Sequence, residues 1–236
     1  MEGNDLKLQE LSYAVSHDLG SAIRGVDQLT NLLEQDISHK LNEKERYWMQ
    51  LIRNSAERAQ GMIDGLTLYT RLSTQTPPKR LIDLTDLVRN TVNGCMQKFR
   101  DNPQNDREPE LQISLVDLEL IGVPEHWLML VKELVNNALD FMPSDVHYKI
   151  CIALTVDEDV VSLVVEDSGK GVAQDRLPHI IKPFSSSREQ DDLQHFGMGL
   201  SYCARIAQLN GAILQFSRSS LGGLKVSYQV PLRGLE

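Results

Sequence analysis

Apolar side chains recur at Leu8, Leu11, Val15, Ala22, Leu29 and Leu33, with Leu19 and Val26 alongside. This heptad-like spacing predicts one long amphipathic helix. A second stripe runs through Trp48, Ile52, Ser55, Ala59, Met62, Leu66 and Tyr69, where the step alternates between four residues and three. The segment between the stripes, Asp36 to Asn42, is polar, and Asn42 with Glu45 forms an N-x-x-E helix start, a variant of the capping box. Residues 1–73 therefore read as an antiparallel helical hairpin. Two helices alone bury too little of such stripes, so the pattern predicts a homodimer in which two hairpins make a four-helix bundle.

Pro77 and Pro78 stop the helix and stiffen the exit, which makes 74–80 a linker to a second domain at 81–236. There the pattern changes. An amphipathic helix opens near Asp83, and a polar loop follows at 101–109. Short strands are expected at 111–115 and 119–122, a helix at 126–141, a strand hairpin at 148–156 and 160–166, a helix at 200–209, and strands at 212–217 and 224–230. Helices with mostly hairpin-linked strands predict an α+β sandwich, a sheet with helices on one face.

Composition narrows the function. The 24 Lys+Arg against 33 Asp+Glu give a net charge of −9, with no dense basic cluster, which disfavours nucleic acid as a partner. No apolar run reaches the roughly 18 residues of a membrane span, and the N-terminus lacks signal-peptide character, so the chain is expected in the cytosol. Cys95, Cys151 and Cys203 are widely spaced, with no C-x-x-C pair, and indicate neither a disulfide framework nor a zinc site.

Four islands carry candidate chemistry. In Ser16-His17-Asp18, a neutral imidazole is a competent nucleophile near pH 7, and Asp18 can take or orient its proton. Ser21 follows one turn later on the same face. In Glu133-Leu-Val-Asn-Asn-Ala-Leu-Asp-Phe141, Glu133 and Asn137 are four apart on a helix and can jointly hold Mg²⁺ through oxygen. In Asp167-Ser-Gly169-Lys-Gly171, an acid at a strand end can accept from an exocyclic amine while two glycines let backbone approach a flat ring. In Phe196-Gly197-Met-Gly199-Leu200, glycines run into a helix whose first amides suit phosphate. Each is weak alone. Between the last two, residues 182–192 are polar and suited to a lid over a ligand.

These islands, taken in order, resemble the catalytic core of a sensor histidine kinase. Ser16-His17-Asp18 is similar to the family's phosphoacceptor box, Glu133 to Phe141 to its N box, Asp167 to Gly171 to its G1 box, Pro183-Phe184 to its F box, and Gly197 to Leu200 to its G2 box. The resemblance implies a dimerisation and histidine phosphotransfer hairpin followed by an ATP-binding domain of the Bergerat (GHKL) type, shared with gyrase, heat-shock-90 chaperones and MutL. It implies that Asp167 binds the adenine amino group, that Asn137 ligates Mg²⁺, and that Phe141 packs near adenine. Gly169, Gly171, Gly197 and Gly199 would shape the nucleotide loops, with Phe184 and Leu200 beside them. His17 would attack the γ-phosphate of ATP with Asp18 as base, and the phosphoryl group would pass to an aspartate of a response-regulator receiver domain. Ser21 would assist the reverse hydrolysis. A sensor domain, and any membrane anchor, would lie outside this chain.

The sequence departs from that family's pattern at Ala22, where a proline is usual, at Glu133, where asparagine is common, at Asp140, where lysine is frequent, and at Met198 and Ser201. These changes leave a second reading open, a weakened kinase that acts mainly as a nucleotide-binding scaffold or response-regulator phosphatase. A third, a repair or chaperone-type ATPase, is favoured by Glu133 and leaves the His17 helix unexplained.

Overall fold

The computed structural model describes the chain apart from residues 1, 76, 104, 106, 144–146, 186–195 and 233–236, and apart from the side chains of 2–17. It divides into two compact units, one comprising Met1–Gln75 with Phe184–Met198, the other Thr76–Pro183 with Gly199–Glu236.

The first unit is built on α1 (Glu2–Ile37) and α2 (Glu43–Thr74). The capping box forms as the sequence implies: Glu45 N–H donates to the Asn42 side chain at 3.0 Å, and Asn42 N–H donates to the Glu45 carboxylate at 2.8 Å. Two orphan amides are thereby satisfied at the start of α2. The two helices pack along their length, with Ala56, Gly65 and Leu72 buried on α2 and an Arg53–Glu34 ion pair at 3.2 Å. Gly20 is buried against Gln60 and Ile63. Yet Leu19, Val26, Leu29, Leu33, Trp48, Leu51 and Ile52 stay exposed, Leu29 at 63%. The rows that the heptad spacing marks as apolar are thus not covered by the partner helix.

The second unit has a five-stranded sheet in the order β2-β4-β5-β7-β6, made of Glu110–Leu115, Lys149–Asp157, Val160–Asp167, Leu224–Pro231 and Ile213–Arg218 respectively. A two-stranded sheet pairs β1 (Arg80–Asp83) with β3 (Glu119–Gly122). Helices α3 (Leu84–Asp101), α4 (Pro124–Asp140) and α5 (Gly199–Leu209) pack side by side. Strands β5, β7 and the first six residues of β4 alternate, so Ile150, Ile152, Leu154, Val161, Leu163, Val165, Val226, Tyr228 and Val230 face the helices. Trp127 of α4 meets Tyr228 edge-on at 5.2 Å, a geometry worth about 0.5–1.5 kcal/mol beyond area burial.

The α+β architecture and the β4–β5 hairpin follow the sequence reading, whereas the partners of the two short strands were not specified by it. β2 pairs parallel with β4, so the sheet is mixed, and β3 leaves β2 to pair with β1. Only Ile82 is buried in the four residues of β1, too little alternation to mark a strand from sequence. Helix α4 starts two residues earlier than its apolar pattern because Pro124, which lacks an N–H, fits the first helical turn without cost. Asp83 caps α3 by accepting from Asp86 N–H at 2.9 Å.

Candidate nucleotide site

Strand β5 ends in two acids with opposite surroundings. Glu166 accepts from Ser219 Oγ at 2.9 Å and pairs with Lys225 at 3.2 Å. Burial opposes its charge, but Ser219 and Lys225 together hold its carboxyl below the usual range. Asp167 is 5% exposed and has no cationic partner among the described contacts. Its Oδ1 accepts from Gly169 N–H at 2.8 Å and Leu224 N–H at 3.3 Å. Burial pushes its carboxyl above the usual range, although those two amides and the Tyr148 hydroxyl pull the other way.

Around Asp167 the backbone comes unusually close. A Cβ on Gly223 would overlap Asp167 Oδ1 and lie 2.6 Å from the Asp167 carbonyl oxygen. A Cβ on Gly169 would lie 2.9 Å from the same Oδ1 and 3.1 Å from the Phe141 carbonyl oxygen. Gly171 has φ +66° and faces the Gly223 carbonyl oxygen at 3.1 Å from the place of its missing Cβ, so both conformation and space favour glycine there. Ser168 Oγ accepts from Lys149 N–H at 2.8 Å and ties the end of β5 to the start of β4. Phe141, the residue after α4, is 38% exposed and offers an aromatic face. Asp167, Gly169, Gly171 and the Phe141 carbonyl are thus brought together. Gly223, Leu224 and Tyr148 join them without having been singled out by sequence. The Gly222-Gly223 pair before β7 was the available signal, but it reads equally well as an ordinary turn.

In the same unit, Glu133 and Asn137 lie on one face of α4, both half-buried. A Cβ on Gly199, the first residue of α5, would meet Glu133 Oε2 at 2.7 Å, so this carboxylate rests against the start of α5. Leu200 follows on the first turn, and Asp140 ends α4. A negative group at a helix start is favoured by the helix dipole. Among the described residues no group of three acidic, His or Cys side chains could hold a metal by itself. Mg²⁺ characteristically takes one or two protein oxygens and completes its shell from phosphate and water, so Glu133 and Asn137 fit the ion only together with a triphosphate.

The remaining candidates belong to the first unit. His17 lies in α1, but its side chain is outside the described residues, as is most of the 182–192 stretch expected to form a lid. Asp18 and Ser21 are exposed on α1, as is Ala22. Phe184 is 41% exposed and sits at φ +62°, a conformation rare for an aromatic residue. Gly197 has φ +67°. Within this unit the Phe196 ring covers Gly61, where a Cβ would overlap it.

The family model described as histidine kinase-, DNA gyrase B- and HSP90-like ATPase matches residues 122–234. Similarity to named proteins extends further along the chain. It is 24% identical to the phytochrome-like protein Cph1 of Synechocystis over 209 residues, which is 88% of this chain and 27% of that protein. It is 26% identical to the sensor histidine kinase CpxA of Escherichia coli K12 over 233 residues, which is 95% of this chain and 47% of CpxA. The chain thus spans less than half the length of these relatives. Among solved structures, full-length ShkA in complex with AMPPNP aligns with a TM-score of 0.69 at 18% identity, covering 94% of this chain and 45% of ShkA, a likeness of fold. The matched stretch includes Asp167 and its glycines. The hairpin, which that family model does not include, falls within the stretch shared with the sensor kinases.

Proposed function

We propose that this chain is the core of a sensor histidine kinase, which transfers the γ-phosphoryl group of ATP to His17 and from there to an aspartate of a response-regulator receiver domain. One observation carries the choice among ATPase relatives: similarity to sensor kinases continues through the helical hairpin that holds His17-Asp18, which the ATPase domain alone does not require.

The chemistry follows from the parts. Asp167, whose Oδ1 takes two backbone amides, accepts a hydrogen bond from the adenine amino group, and Phe141 covers the ring. The glycines at 169, 171, 197 and 199 leave backbone free to approach the nucleotide, with Phe184 and Leu200 beside them, and the first amides of α5 face phosphate. Glu133 already lies against that helix start, and a carboxylate beside a triphosphate is repulsive unless a cation stands between them. When bound, Mg²⁺ held by Asn137 and Glu133 supplies that neutralisation. His17 is the nucleophile, and the neighbouring Asp18 accepts or orients its other proton. Ser21, one turn on, is placed to assist hydrolysis of the receiver's phosphoaspartate.

The exposed apolar rows on α1 and α2 support a homodimer through the hairpin. Among the described residues no helix is long and apolar enough to cross a membrane. The test is incubation with γ-labelled ATP and Mg²⁺. Acid-labile, base-stable label that disappears in His17→Ala is the expected result. Nucleotide binding without label would replace the kinase with the scaffold reading, and steady ATP hydrolysis without label would favour the repair or chaperone-type ATPase.

A further inference from the structure

The turn at 219–223 joins β6 to β7 and delivers β7 to the end of β5. Gly223 N–H donates to the Asp167 carbonyl oxygen at 3.1 Å, and Leu224 N–H donates to Asp167 Oδ1 at 3.3 Å. Within the turn, Ser219 N–H donates to the Gly223 carbonyl at 2.9 Å and Gly222 N–H to the Ser219 carbonyl at 3.0 Å. Both ends of this segment are tied to one side chain, that of Glu166, the residue before Asp167. Oε2 of Glu166 accepts from Ser219 Oγ at 2.9 Å, and Ser219 Oγ itself accepts from Leu221 N–H at 3.0 Å. Oε1 pairs at 3.2 Å with Lys225, which stands directly across from Glu166 in the β5–β7 register. The two amides that reach Asp167 lie between these anchor points.

The two anchors differ in kind. Glu166 with Lys225 is an ordinary cross-strand ion pair, which any antiparallel sheet can use. Ser219 is 5% exposed, and its hydroxyl both donates to the carboxylate and receives an amide of its own turn. Ser220 Oγ stands 3.5 Å from the same carboxylate oxygen, too far to replace it. Freedom in the segment comes from Gly222, at φ +111°, and from Gly223. The paired register of β5 and β7 stops at Glu166 and Lys225, so Leu224 lies just past the end of the ladder. Its bond to Oδ1 is long against the usual N–H···O distance of about 2.9–3.0 Å, and is the first to lapse if the turn moves.

We infer that Glu166 is a positioning residue for Asp167: by holding Ser219 it fixes the turn so that the Leu224 amide stays on Oδ1, and it thereby sharpens selection of a 6-amino purine. This rests on the reading of Asp167 as the adenine acceptor. The clamp acts on the nucleotide through Asp167. Loosening it weakens a purine that carries the exocyclic amine and spares one that lacks it, whereas general damage to the fold weakens both.

The experiment measures equilibrium binding of ATP and of purine riboside 5′-triphosphate, each with Mg²⁺, to the full chain and to Ser219→Ala, Glu166→Ala and Glu166→Gln. The wild type is expected to prefer ATP. In Ser219→Ala and in Glu166→Ala the ATP dissociation constant is expected to rise about three- to tenfold, as for a weakened hydrogen bond to a charged group, while that of the analogue changes less than about twofold. The two changes combined weaken ATP no further than the larger of them, because both remove the same link. Glu166→Gln keeps an oxygen for Ser219 and stays within about twofold of wild type for both nucleotides. In autophosphorylation Ser219→Ala raises KM for ATP and leaves kcat within about twofold. Analogue binding reports that each variant is folded, and if Glu166→Ala binds neither nucleotide, Ser219→Ala, which lacks a single oxygen, decides. Equal weakening of both nucleotides in Ser219→Ala, or no change in either, would overturn the clamp and leave Asp167 untouched. A loss in Glu166→Gln as large as in Glu166→Ala would assign the effect to the Lys225 pair and overturn it too. A wild type that bound the two nucleotides equally would instead overturn the reading of Asp167, and this inference with it.

Discussion

Gly223→Ala is the sharpest perturbation of the nucleotide cradle, because the added methyl has nowhere to go. It would overlap Asp167 Oδ1 and lie 2.5 Å from the Gly169 amide nitrogen and 2.6 Å from the Asp167 carbonyl oxygen. Two of these are backbone atoms, so no side-chain rotation relieves the overlap. The chain must move apart by about an ångström, which breaks or stretches the bonds from Gly169 and Leu224 to the carboxylate and from Gly223 N–H to the Asp167 carbonyl. Bonds to a charged group contribute about 1.5–3 kcal/mol each and backbone bonds about 0.5–1.5. Allowing for partial relaxation, a loss of about 3–5 kcal/mol is expected, a large share of the 5–15 kcal/mol typical of a folded domain. Gly94→Ala in α3 is the matched control. Nothing lies within 4 Å of its missing Cβ, and alanine in a helix interior gains up to about 1 kcal/mol over glycine. Urea melts followed by circular dichroism measure both, with ATP binding to the folded protein as the second readout. A Gly223→Ala protein that melts within 0.5 kcal/mol of wild type and binds ATP normally would refute the account of the cradle.

Three further outcomes can be checked. ATP binding, followed against pH, is expected to fail on acidification at a pH above the usual aspartate range, because Asp167 must be ionised to accept the amine and burial raises its pKa. The sign reverses for the stability of the free protein: a carboxyl whose pKa is raised by folding costs stability while ionised, and that cost is relieved as pH falls through its folded pKa. Asn210→Ala removes the side chain that joins His126 Nδ1 at 3.0 Å to the Tyr228 hydroxyl at 2.8 Å, and is expected to cost about 2–4 kcal/mol in a melt while ATP affinity stays within twofold. Leu29→Glu, at a position 63% exposed in the single chain, is expected to convert the dimer to monomer in analytical ultracentrifugation without lowering the helix content of the second unit.

What the sequence could show depended on how local each signal was. The hairpin was legible because a stripe and a capping box are written within a few residues of one another. Asp167 and its following glycines were legible for the same reason, as a strand end and a turn. Strand partners were not: β2 and β3 have the same alternating pattern whether they pair with each other or, as observed, with β4 and β1. Gly223 stands 56 residues after Asp167, and only the β5–β7 pairing puts it against the carboxylate. Tyr148 looks like any aromatic entering a strand. Its hydroxyl reaches the Ala138 carbonyl only once α4 is packed beside it.

Glu166 and Asp167 are adjacent in the chain, yet one is neutralised by Lys225 and the other is buried with no cation among the described residues. The difference is one of phase, since successive residues of a strand point to opposite sides. β5 is paired along its length to β4 on one flank and β7 on the other, so its phase is fixed by two neighbours at once. Insertion or deletion of a single residue within this strand would exchange the two acids wholesale. The strand therefore behaves like a reading frame: individual letters on its open face can vary, while a frameshift would point the lysine's acid inward and leave the buried acid in water.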